Sequence, residues 1–263
     1  MPRFFVPAGA VTGGGAVISG ADAAHLARSL RARPGERVTV VDDAGREHGV
    51  LLEEVGAERA RGRVEWSRPA TGEPRARVLV LQALPADGMD ATVEALAEIG
   101  AAEIWPVLTR RTVARPAPDR AARRVERWSA IAREGAALAG RGAPVPVRAP
   151  RPLDEALAAL PAGIRLLACA PGAGTPLSAK ATGTALALLI GPEGGLDPEE
   201  LAAVRARGGE EVHLGPRVLR SRLAGTVAVA VVLARLGELD AAAATPPVGA
   251  ETSTNRARQR PEE

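Results

Sequence analysis

The chain has 263 residues, 46% of them hydrophobic, and a formal net charge of +3 at pH 7. This length accommodates two ordinary domains or one larger domain, and the apolar fraction excludes a chain without a folded core. So small a net charge does not by itself indicate a nucleic-acid partner. Cys169 is the only cysteine and lies in an apolar stretch, which excludes a disulfide framework and predicts a buried filler.

Two features of the sequence argue against secretion and membrane insertion. The N-terminal residues, MPRFFVPAGA, lack the apolar segment of a signal peptide. The longest aliphatic run, Val227 to Ala234, is far shorter than the roughly 20 residues that span a membrane. We therefore expect a soluble cytoplasmic protein with no membrane partner.

The first seventy residues predict a small β-rich domain. Apolar residues at helical spacing over 21–32 indicate one short helix, with Asp22 as the candidate N-cap. Two segments rich in β-branched residues, 36–43 and 46–55, predict a hairpin, and 60–66 predicts a further strand. Short strands around one small helix are typical of compact β-barrels that recognise RNA.

Loop-forming residues over 67–74 predict a boundary between a first domain, residues 1–70, and a second, residues 75–240. In the second domain, strands and helices alternate, which is typical of an α/β layer with a largely parallel sheet. The predicted strands cover 76–84, 102–108, 164–170, 185–190 and 210–214. The predicted helices cover 90–100, 118–139, 153–160, 198–207 and 223–239. The tail, 241–263, is small and polar and is predicted to be disordered.

A glycine-rich segment, Gly191–Gly195, follows the apolar strand 185–190 and precedes a helix start. Asp197 supplies a capping side chain, and Pro198 is a usual first helical residue. The segment is therefore a strand-to-helix turn at the carboxyl end of a strand, where open α/β sheets bind ligands. A tight turn with no ligand is the alternative interpretation.

The charge of this turn argues against a phosphate ligand. The segment matches neither the GxxxxGK[ST] nor the GxGxxG pattern of phosphate-binding loops. Four nearby carboxylates would also repel phosphate. They belong to Glu193, Asp197, Glu199 and Glu200. We therefore expect a neutral or cationic ligand.

A second segment repeats the same arrangement. The residues HLGP at 213–216 end a short strand as LIGP does at 189–192. Two Gly-Pro segments, each at the end of a strand, could form two walls of one pocket. Arg217, Arg220 and Arg222 then stand near a helix N-terminus, where positive charge is unfavourable, so we expect them to have a function.

Together, LLIGPEGGLDPEEL and VHLGPRVLRSRLAG resemble the signature of the RsmE-type methyltransferases, bacterial 16S ribosomal RNA uridine-N3 methyltransferases of the SPOUT class. The similarity extends over most of the chain, through blocks such as VEALAEIGAAEIWPVLTRRTV. The resemblance implies an N-terminal PUA-like β-barrel that helps to hold RNA and a C-terminal SPOUT α/β domain with a trefoil knot. It also implies a homodimer, S-adenosylmethionine as the cofactor and 16S rRNA of the small ribosomal subunit as the substrate.

The resemblance also implies site residues. Arg220 matches the family's arginine, and we expect it to stabilise the anion that uridine becomes when N3 loses its proton. An ion pair with an acidic residue across the dimer is the alternative role. The expected cofactor pocket consists, largely through the backbone, of Gly191, Pro192, Glu193, Gly194, Gly195, Leu214, Gly215, Val218 and Leu219.

An arginine-rich stretch supplies candidates for RNA binding. From Arg110 to Arg141 there are nine arginines and three acidic residues. Such a run is either a solvated helix face or a track for the RNA backbone. The predicted RNA-binding residues are Arg110, Arg111, Arg124, Arg141 and Arg217. The three histidines are scattered without ligand spacing, so no metal is expected.

The sequence departs from the family pattern in three places. Arg222-Leu223 stands where relatives often carry Glu and Thr, Ala137-Leu138 where they carry Glu and Gln, and Ala86 where Lys is common. Because Arg222 cannot act as a base, solvent or another carboxylate such as Glu193 would have to accept the N3 proton. A catalytically impaired RNA-binding or ribosome-assembly protein with the same fold is the alternative function.

Overall fold

The computed structural model describes residues 1–113, 115 and 118–240, apart from the side chains of residues 118 and 119. The predicted disordered tail, 241–263, lies outside the described residues. By its internal contacts the chain divides into two compact units, the first covering Met1–Thr71 and the second starting at Gly72. Within the described part of the chain, no helix is long and apolar enough to cross a membrane.

A mixed sheet of six strands forms the first unit. In chain order its strands are β1 (Arg3–Val6), β2 (Val11–Thr12), β3 (Gly15–Ser19), β4 (Arg37–Asp42), β5 (Arg46–Val55) and β6 (Arg59–Pro69). They lie side by side in the order β1-β4-β5-β6-β3-β2. β1 pairs in parallel with β4, and the other pairings are antiparallel. Ile18, Val40 and Leu52 belong to one buried core, together with Leu26 of the helical segment.

The predicted hairpin and the strand after it are confirmed as β4, β5 and β6. β6 continues to Pro69, into the stretch predicted as a linker. It does so because Pro69, the last residue of β6, pairs with Arg46, the first residue of β5. β1, β2 and β3 are absent from the prediction. They are short, and β1 and β3 pair with strands that are distant in sequence, so local patterning does not reveal them.

The helix predicted over 21–32 is shorter and less regular than expected. It comprises α1 (Ala21–Ala24) followed by a π-helical turn over His25–Ser29. Its N-cap is Gly20, with φ of 63°, and no side chain caps the helix. The N-cap prediction for Asp22 is therefore wrong. Asp22 lies in the first turn, where its charge still interacts favourably with the helix dipole.

Six parallel strands form the sheet of the second unit. They are β7 (Arg77–Ala83), β8 (Glu103–Leu108), β9 (Arg151–Pro152), β10 (Arg165–Cys169), β11 (Ala185–Ile190) and β12 (Glu210–Val212). The helices are α2 (Met89–Ile99), α3 (Pro118–Leu138), α4 (Leu153–Ala158), α5 (Leu177–Lys180), α6 (Pro198–Ala206) and α7 (Ser221–Arg235). The strand order is β12-β10-β11-β7-β8-β9, and every pairing is parallel, as the sequence predicts.

The parallel register brings the carboxyl ends of neighbouring strands to one edge of this sheet. Cys169 at the end of β10 pairs with Ile190 at the end of β11, and Ile190 pairs with Gln82 in β7. Leu188 and Leu189, successive residues of β11, are both fully buried, so both faces of the sheet are covered. The loops that follow these strands therefore meet at the same edge.

The last helix begins earlier than predicted. α7 starts at Ser221 rather than at Leu223, because the backbone N–H groups of Leu223 and Ala224 both donate to the carbonyl of Arg220. Arg220 is thus the N-cap residue of α7. Arg222, which the sequence analysis places near the N-terminus of the helix, lies within its first turn.

Arg141, a predicted RNA contact, is buried. Its side chain is 4% exposed, and its Nε and Nη2 donate to the two carboxylate oxygens of Glu73 at 2.9 and 2.7 Å. Its Nη1 donates to the carbonyls of Ala97 and Ala101, at 2.9 and 2.7 Å. The Ala97 carbonyl is one of the last four of α2, which lack partners within the helix. The RNA-binding prediction for Arg141 is wrong, because this side chain leaves no surface for a phosphate.

We expect Arg141→Met to lower the free energy of unfolding by about 2–3 kcal/mol, because Glu73 and two carbonyl oxygens lose their donor. Urea denaturation followed by circular dichroism measures this loss. Arg127→Met is the matched control, since Arg127 forms an ion pair with Asp90 while 68% exposed, and such pairs contribute little. Equal stability of the two variants would contradict the structural role of Arg141.

Candidate functional site

A cavity of about 540 Å³ opens at the carboxyl edge of the parallel sheet. Residues from three loops line it, namely those that follow β10, β11 and β12. The strand ends Cys169 and Ile190, Leu201 of α6, Ser221 and Ala224 of α7, and Arg111 complete the lining. The nine residues that the sequence analysis assigns to a cofactor pocket all line this cavity, and so do Arg217 and Arg220.

The first wall of the cavity is the turn Gly191–Gly195. Gly195 has φ of +73°, a left-handed conformation that glycine adopts without strain, and its N–H donates to the carbonyl of Pro192 at 2.8 Å. Asp197 then caps α6, while the Glu200 carboxylate accepts the N–H of Asp197 at 2.8 Å. The predicted strand-to-helix turn and its cap are confirmed.

The second wall follows β12. The N–H of His213 donates to the carbonyl of Thr175 at 2.9 Å, which ties this wall to the loop after β10. Gly215 is left-handed, with φ of +96°. At the end of the wall, the hydroxyl of Ser221 donates to the carbonyl of Gly191 at 2.7 Å. The two Gly-Pro segments therefore form two walls of one cavity.

Most of the acidic groups near the first wall act within the fold. Among the four carboxylates expected to repel phosphate, Glu193 alone lines the cavity. Asp197 and Glu200 accept N–H groups at the start of α6. Arg110 donates its backbone N–H to Glu200 at 2.8 Å, and its side chain pairs with Glu199. This pairing raises the pKa of the Arg110 guanidinium above its ordinary value.

The wall of the cavity therefore carries more positive than negative charge. Arg111, Arg217 and Arg220 line it together with Glu193. Arg111 also donates from Nη1 to the carbonyl of Gly194 at 2.8 Å, which holds the turn in place. An anionic group would not be repelled here, contrary to the expectation from the sequence, because the lining contains three guanidinium groups and one carboxylate.

Two charged side chains at the cavity differ in their partners. The Glu193 carboxylate accepts the N–H of Ala86 at 3.2 Å and is thereby attached to the loop after β7. Arg220 is exposed at the N-cap of α7, and its side chain forms no hydrogen bond or ion pair with the described residues. Its N–H donors are therefore available to a bound molecule.

Cys169 lines the cavity, although its sequence context predicts a filler within the core. Burial raises the pKa of its thiol to about 12, so the sulfur is protonated at neutral pH and is a poor nucleophile. Its place at the carboxyl end of a parallel strand is the signal that could have indicated this location. No group of three or more His, Cys, Asp or Glu residues in the described ranges is arranged to hold a metal ion.

Known proteins share this architecture. A model of an RNA methyltransferase domain matches residues 72–233, and a model of an RNA methyltransferase PUA domain matches residues 18–65. Over 249 residues the chain is 33% identical to ribosomal RNA small subunit methyltransferase E of Mycobacterium bovis, an alignment that covers 91% of this chain and 94% of that protein. The chain belongs to the small subunit methyltransferase E family.

Solved structures of this family support the same fold. Ribosomal RNA small subunit methyltransferase E from Neisseria gonorrhoeae, bound to S-adenosylmethionine, has a TM-score of 0.78 and 27% identity over 89% of this chain and 97% of its own. A methyltransferase from Legionella pneumophila in complex with the same cofactor has a TM-score of 0.79 and 26% identity over 88% and 96% of the two chains. The α/β methyltransferase fold with an N-terminal PUA domain is thus confirmed.

Two of the departures from the methyltransferase E pattern meet at one loop. Arg222, where relatives often carry Glu, forms an ion pair with Asp87 at 3.2 Å. Ala86, where Lys is common, donates its backbone N–H to Glu193. The loop after β7 is therefore held both by α7 and by the first wall. The third departure, Ala137-Leu138, lies at the end of α3, where Ala137 is partly buried and Leu138 is exposed.

The remaining predicted RNA contacts of this methyltransferase lie at the surface. Arg124 is exposed on α3, and Arg217 is exposed at the cavity. Arg110 and Arg111 interact with the acidic start of α6, yet 57% and 47% of their side chains remain exposed. These four arginines are accessible to phosphate groups, unlike Arg141.

Proposed function

We propose that the protein transfers a methyl group from S-adenosylmethionine to N3 of a uridine in the 16S rRNA of the small ribosomal subunit. The observation that carries this proposal is the cavity in which the GPEGG and LGPRVLR walls meet. Because the substrate is ribosomal RNA, we place the protein in the cytoplasm. The alternative, an RNA-binding or ribosome-assembly protein without catalysis, is favoured by Arg222 at the family's Glu position.

The cavity suits a cofactor that is bound mainly through the backbone. Its volume lies within the usual range of ligand pockets. A Cβ at Gly191 would lie 3.2 Å from the backbone nitrogen of Leu196, so glycine allows the first wall to close tightly. Arg217 provides a positively charged partner for the carboxylate of the methionine moiety. When bound, S-adenosylmethionine supplies a methyl group activated by the sulfonium.

Methyl transfer to uridine also requires removal of the N3 proton, which is mostly retained at neutral pH. Loss of that proton spreads negative charge over O2 and O4 of the base. Arg220 lines the cavity with its donors available, and it stabilises this charge electrostatically. Holding the uridine and the methyl donor in line supplies a further part of the rate acceleration.

Glu193 is our choice for the group that accepts the N3 proton. Among the described residues that line the cavity, Arg111, Arg217 and Arg220 carry guanidinium groups, which are donors only and do not act as bases. The thiol of Cys169 retains its own proton, since burial raises its pKa to about 12. A carboxylate is the one basic group left in this lining, and Ala86 holds it from the loop after β7.

We propose that the second unit contains the trefoil knot of SPOUT proteins, a topology that is rare among folds. Support comes from the contacts between three loops. Pro176 and His213 form a parallel bridge, and Ser221 bonds to Gly191, so the chain after β12 lies against the loops after both β10 and β11. An experimental trace of the chain from β10 to α7 tests this topology.

We propose that residues 1–70 act as the PUA-like domain that holds RNA and that residues 75–240 act as the methyltransferase domain. The proposed phosphate contacts are Arg110, Arg111, Arg124 and Arg217. Contacts of this kind position the RNA without reading its sequence and weaken as salt increases. The slope of RNA affinity against salt concentration measures how many of them form.

We also propose that two copies associate through α7. A stripe of apolar residues at helical spacing is at least partly exposed along this helix. Its members are Leu223, Val227, Ala230, Val231 and Ala234. Leu223 is 48% exposed and Val218, at the cavity, is 85% exposed. Contiguous exposed apolar residues mark association surfaces, and a second copy of the chain is the occupant implied by the family.

To test the activity, the purified protein is incubated with S-adenosylmethionine and small subunits that lack the modification, and 3-methyluridine is measured by mass spectrometry. We expect the wild type to form 3-methyluridine and Arg220→Met to lower kcat by about a hundredfold or more, because a charge-stabilising group is lost. Arg124→Met, the control on α3, should affect KM rather than kcat. Cofactor binding without 3-methyluridine would favour the non-catalytic alternative, and no cofactor binding would overturn the pocket assignment.

We expect Glu193→Gln to lower kcat at neutral pH by about a hundredfold or more, the usual contribution of a general base. The rate of this variant should recover as the pH rises, because uridine then loses its N3 proton without help. Glu199→Gln is the matched control, since that carboxylate pairs with Arg110 and does not line the cavity. A neutral-pH rate for Glu193→Gln close to that of wild type would exclude Glu193 as the proton acceptor.

We expect Val227→Glu to convert the proposed dimer into a monomer, because it places a charge within the apolar stripe. Sedimentation equilibrium measures the mass of the particle. Ala202→Glu, on the exposed side of α6, should leave the mass of the assembly unchanged. A Val227→Glu protein that remains dimeric would contradict association through α7.

A further inference from the structure

A buried chain of hydrogen bonds joins the end of β7 to both walls of the cavity. Gln82 is fully buried there, and its Nε2 donates to the hydroxyl of Ser221 at 3.1 Å and to the carbonyl of Ala83 at 3.0 Å. Ser221, which is 4% exposed, donates its hydroxyl to the carbonyl of Gly191 at 2.7 Å. The chain of bonds therefore links the first residue of the GPEGG turn to the first residue of α7.

The direction of these hydrogen bonds is fixed by the last acceptor. A carbonyl oxygen only accepts, so the single hydroxyl hydrogen of Ser221 is directed to Gly191. The Ser221 oxygen must then accept its second bond from Gln82. The opposite orientation of the Gln82 amide would set its oxygen against two other oxygens with no hydrogen between them. The network thus selects one orientation of this amide.

Helix α7 accommodates the side-chain amide of Gln82 next to Gly225, and this arrangement lowers the stability of the fold. The Oε1 of Gln82 is buried with no hydrogen-bond partner among the described residues. A Cβ at Gly225 would lie 2.6 Å from that oxygen, so a larger residue there would displace the Gln82 amide. A glycine inside a helix and an unpaired buried oxygen both disfavour folding. Features that lower stability in this way are typical of functional positions.

We propose that Gln82 and Ser221 are positioning residues that set the placement of the cofactor turn relative to Arg220. Gly191 begins the turn, and Ser221 directly follows Arg220, so one hydrogen bond connects the two functional parts of the cavity. This proposal rests on the proposed methyl transfer. The hydrogen bonds themselves form without any bound molecule, so their effect on the turn is measurable in the ligand-free protein.

The test is Ser221→Ala, which leaves the Gly191 carbonyl and the Gln82 amide without their partner. We expect the Kd for S-adenosylmethionine to rise about tenfold, the usual effect of one lost buried hydrogen bond. We expect kcat at saturating substrates to fall about tenfold or more, because small displacements of reacting groups slow the chemistry. In the ligand-free protein, backbone amides of residues 191–196 should exchange hydrogen for deuterium faster.

Three further variants separate positioning from general stability. Ser221→Thr retains the hydroxyl and should restore the Kd, kcat and exchange rates to within about threefold of wild type. Thr226→Val removes the other buried hydroxyl of α7, which has no partner among the described residues. This variant should leave the Kd, kcat and exchange rates unchanged. Gln82→Met should raise the Kd less than Ser221→Ala does. The double variant should be no worse than Ser221→Ala alone, because the two residues act through one contact.

A Ser221→Ala protein with wild-type Kd, kcat and exchange over 191–196 would overturn the positioning role, even if its thermal stability decreased. Additive effects of Gln82→Met and Ser221→Ala would also overturn it. Failure of the wild type to bind S-adenosylmethionine would instead overturn the proposed function. In that case the exchange rates of residues 191–196 in the ligand-free protein still decide whether Ser221 holds the turn.

Discussion

In a parallel sheet the loops that follow the strands lie at the same edge, and the candidate site of this protein lies at that edge. Because Cys169 and Ile190 end their strands in register, the loops after β10 and β11 leave the sheet side by side. The short β12 adds a third loop next to them. Each of these three loops leads into a helix, and the residues that cap α6 and α7 lie next to residues that line the cavity. Asp197 and Arg220 occupy those cap positions.

The charges around the cavity illustrate how a fold and a site share the same residues. The acids at the start of α6 satisfy unpaired N–H groups of the helix and neutralise the neighbouring Arg110. Arg110 and Arg111 follow β8, and their contacts attach a fourth loop to the start of α6 and to the GPEGG turn. The turn is thereby held from several directions before any molecule binds. Such preorganisation is what a site for methyl transfer requires, since positioning supplies much of the rate.

Local signals account for the parts of the structure that the sequence predicts well. Apolar runs identify the buried strands, and the Asp197 capping box follows from the spacing of a few residues. Strands β1 and β3 escape prediction because their partners are distant in sequence. Burial is equally hard to foresee from charge, since nothing in an arginine-rich run marks Arg141 as the side chain that turns inward to Glu73.

The candidate site shows the same division between local and tertiary information. The repeated Gly-Pro segments predict two adjacent walls, and the family resemblance supplies the nine pocket residues that line the cavity. The partners of Glu193, Asp197 and Glu200 could not be read from their positions in the sequence. Their hydrogen bonds to Ala86, to α6 and to Arg110 depend on tertiary contacts. For this reason the sequence does not reveal that, of the four carboxylates, Glu193 alone lines the cavity.

The state of Cys169 has a consequence for selectivity. A sulfonium methyl donor is an alkylating agent, and a thiolate is the strongest nucleophile that a protein side chain offers. An ionised sulfur in the wall of this cavity would compete with the RNA base for the methyl group and inactivate the enzyme by self-alkylation. Burial disfavours this side reaction, because it raises the pKa of the thiol to about 12 and so lowers the fraction of thiolate further.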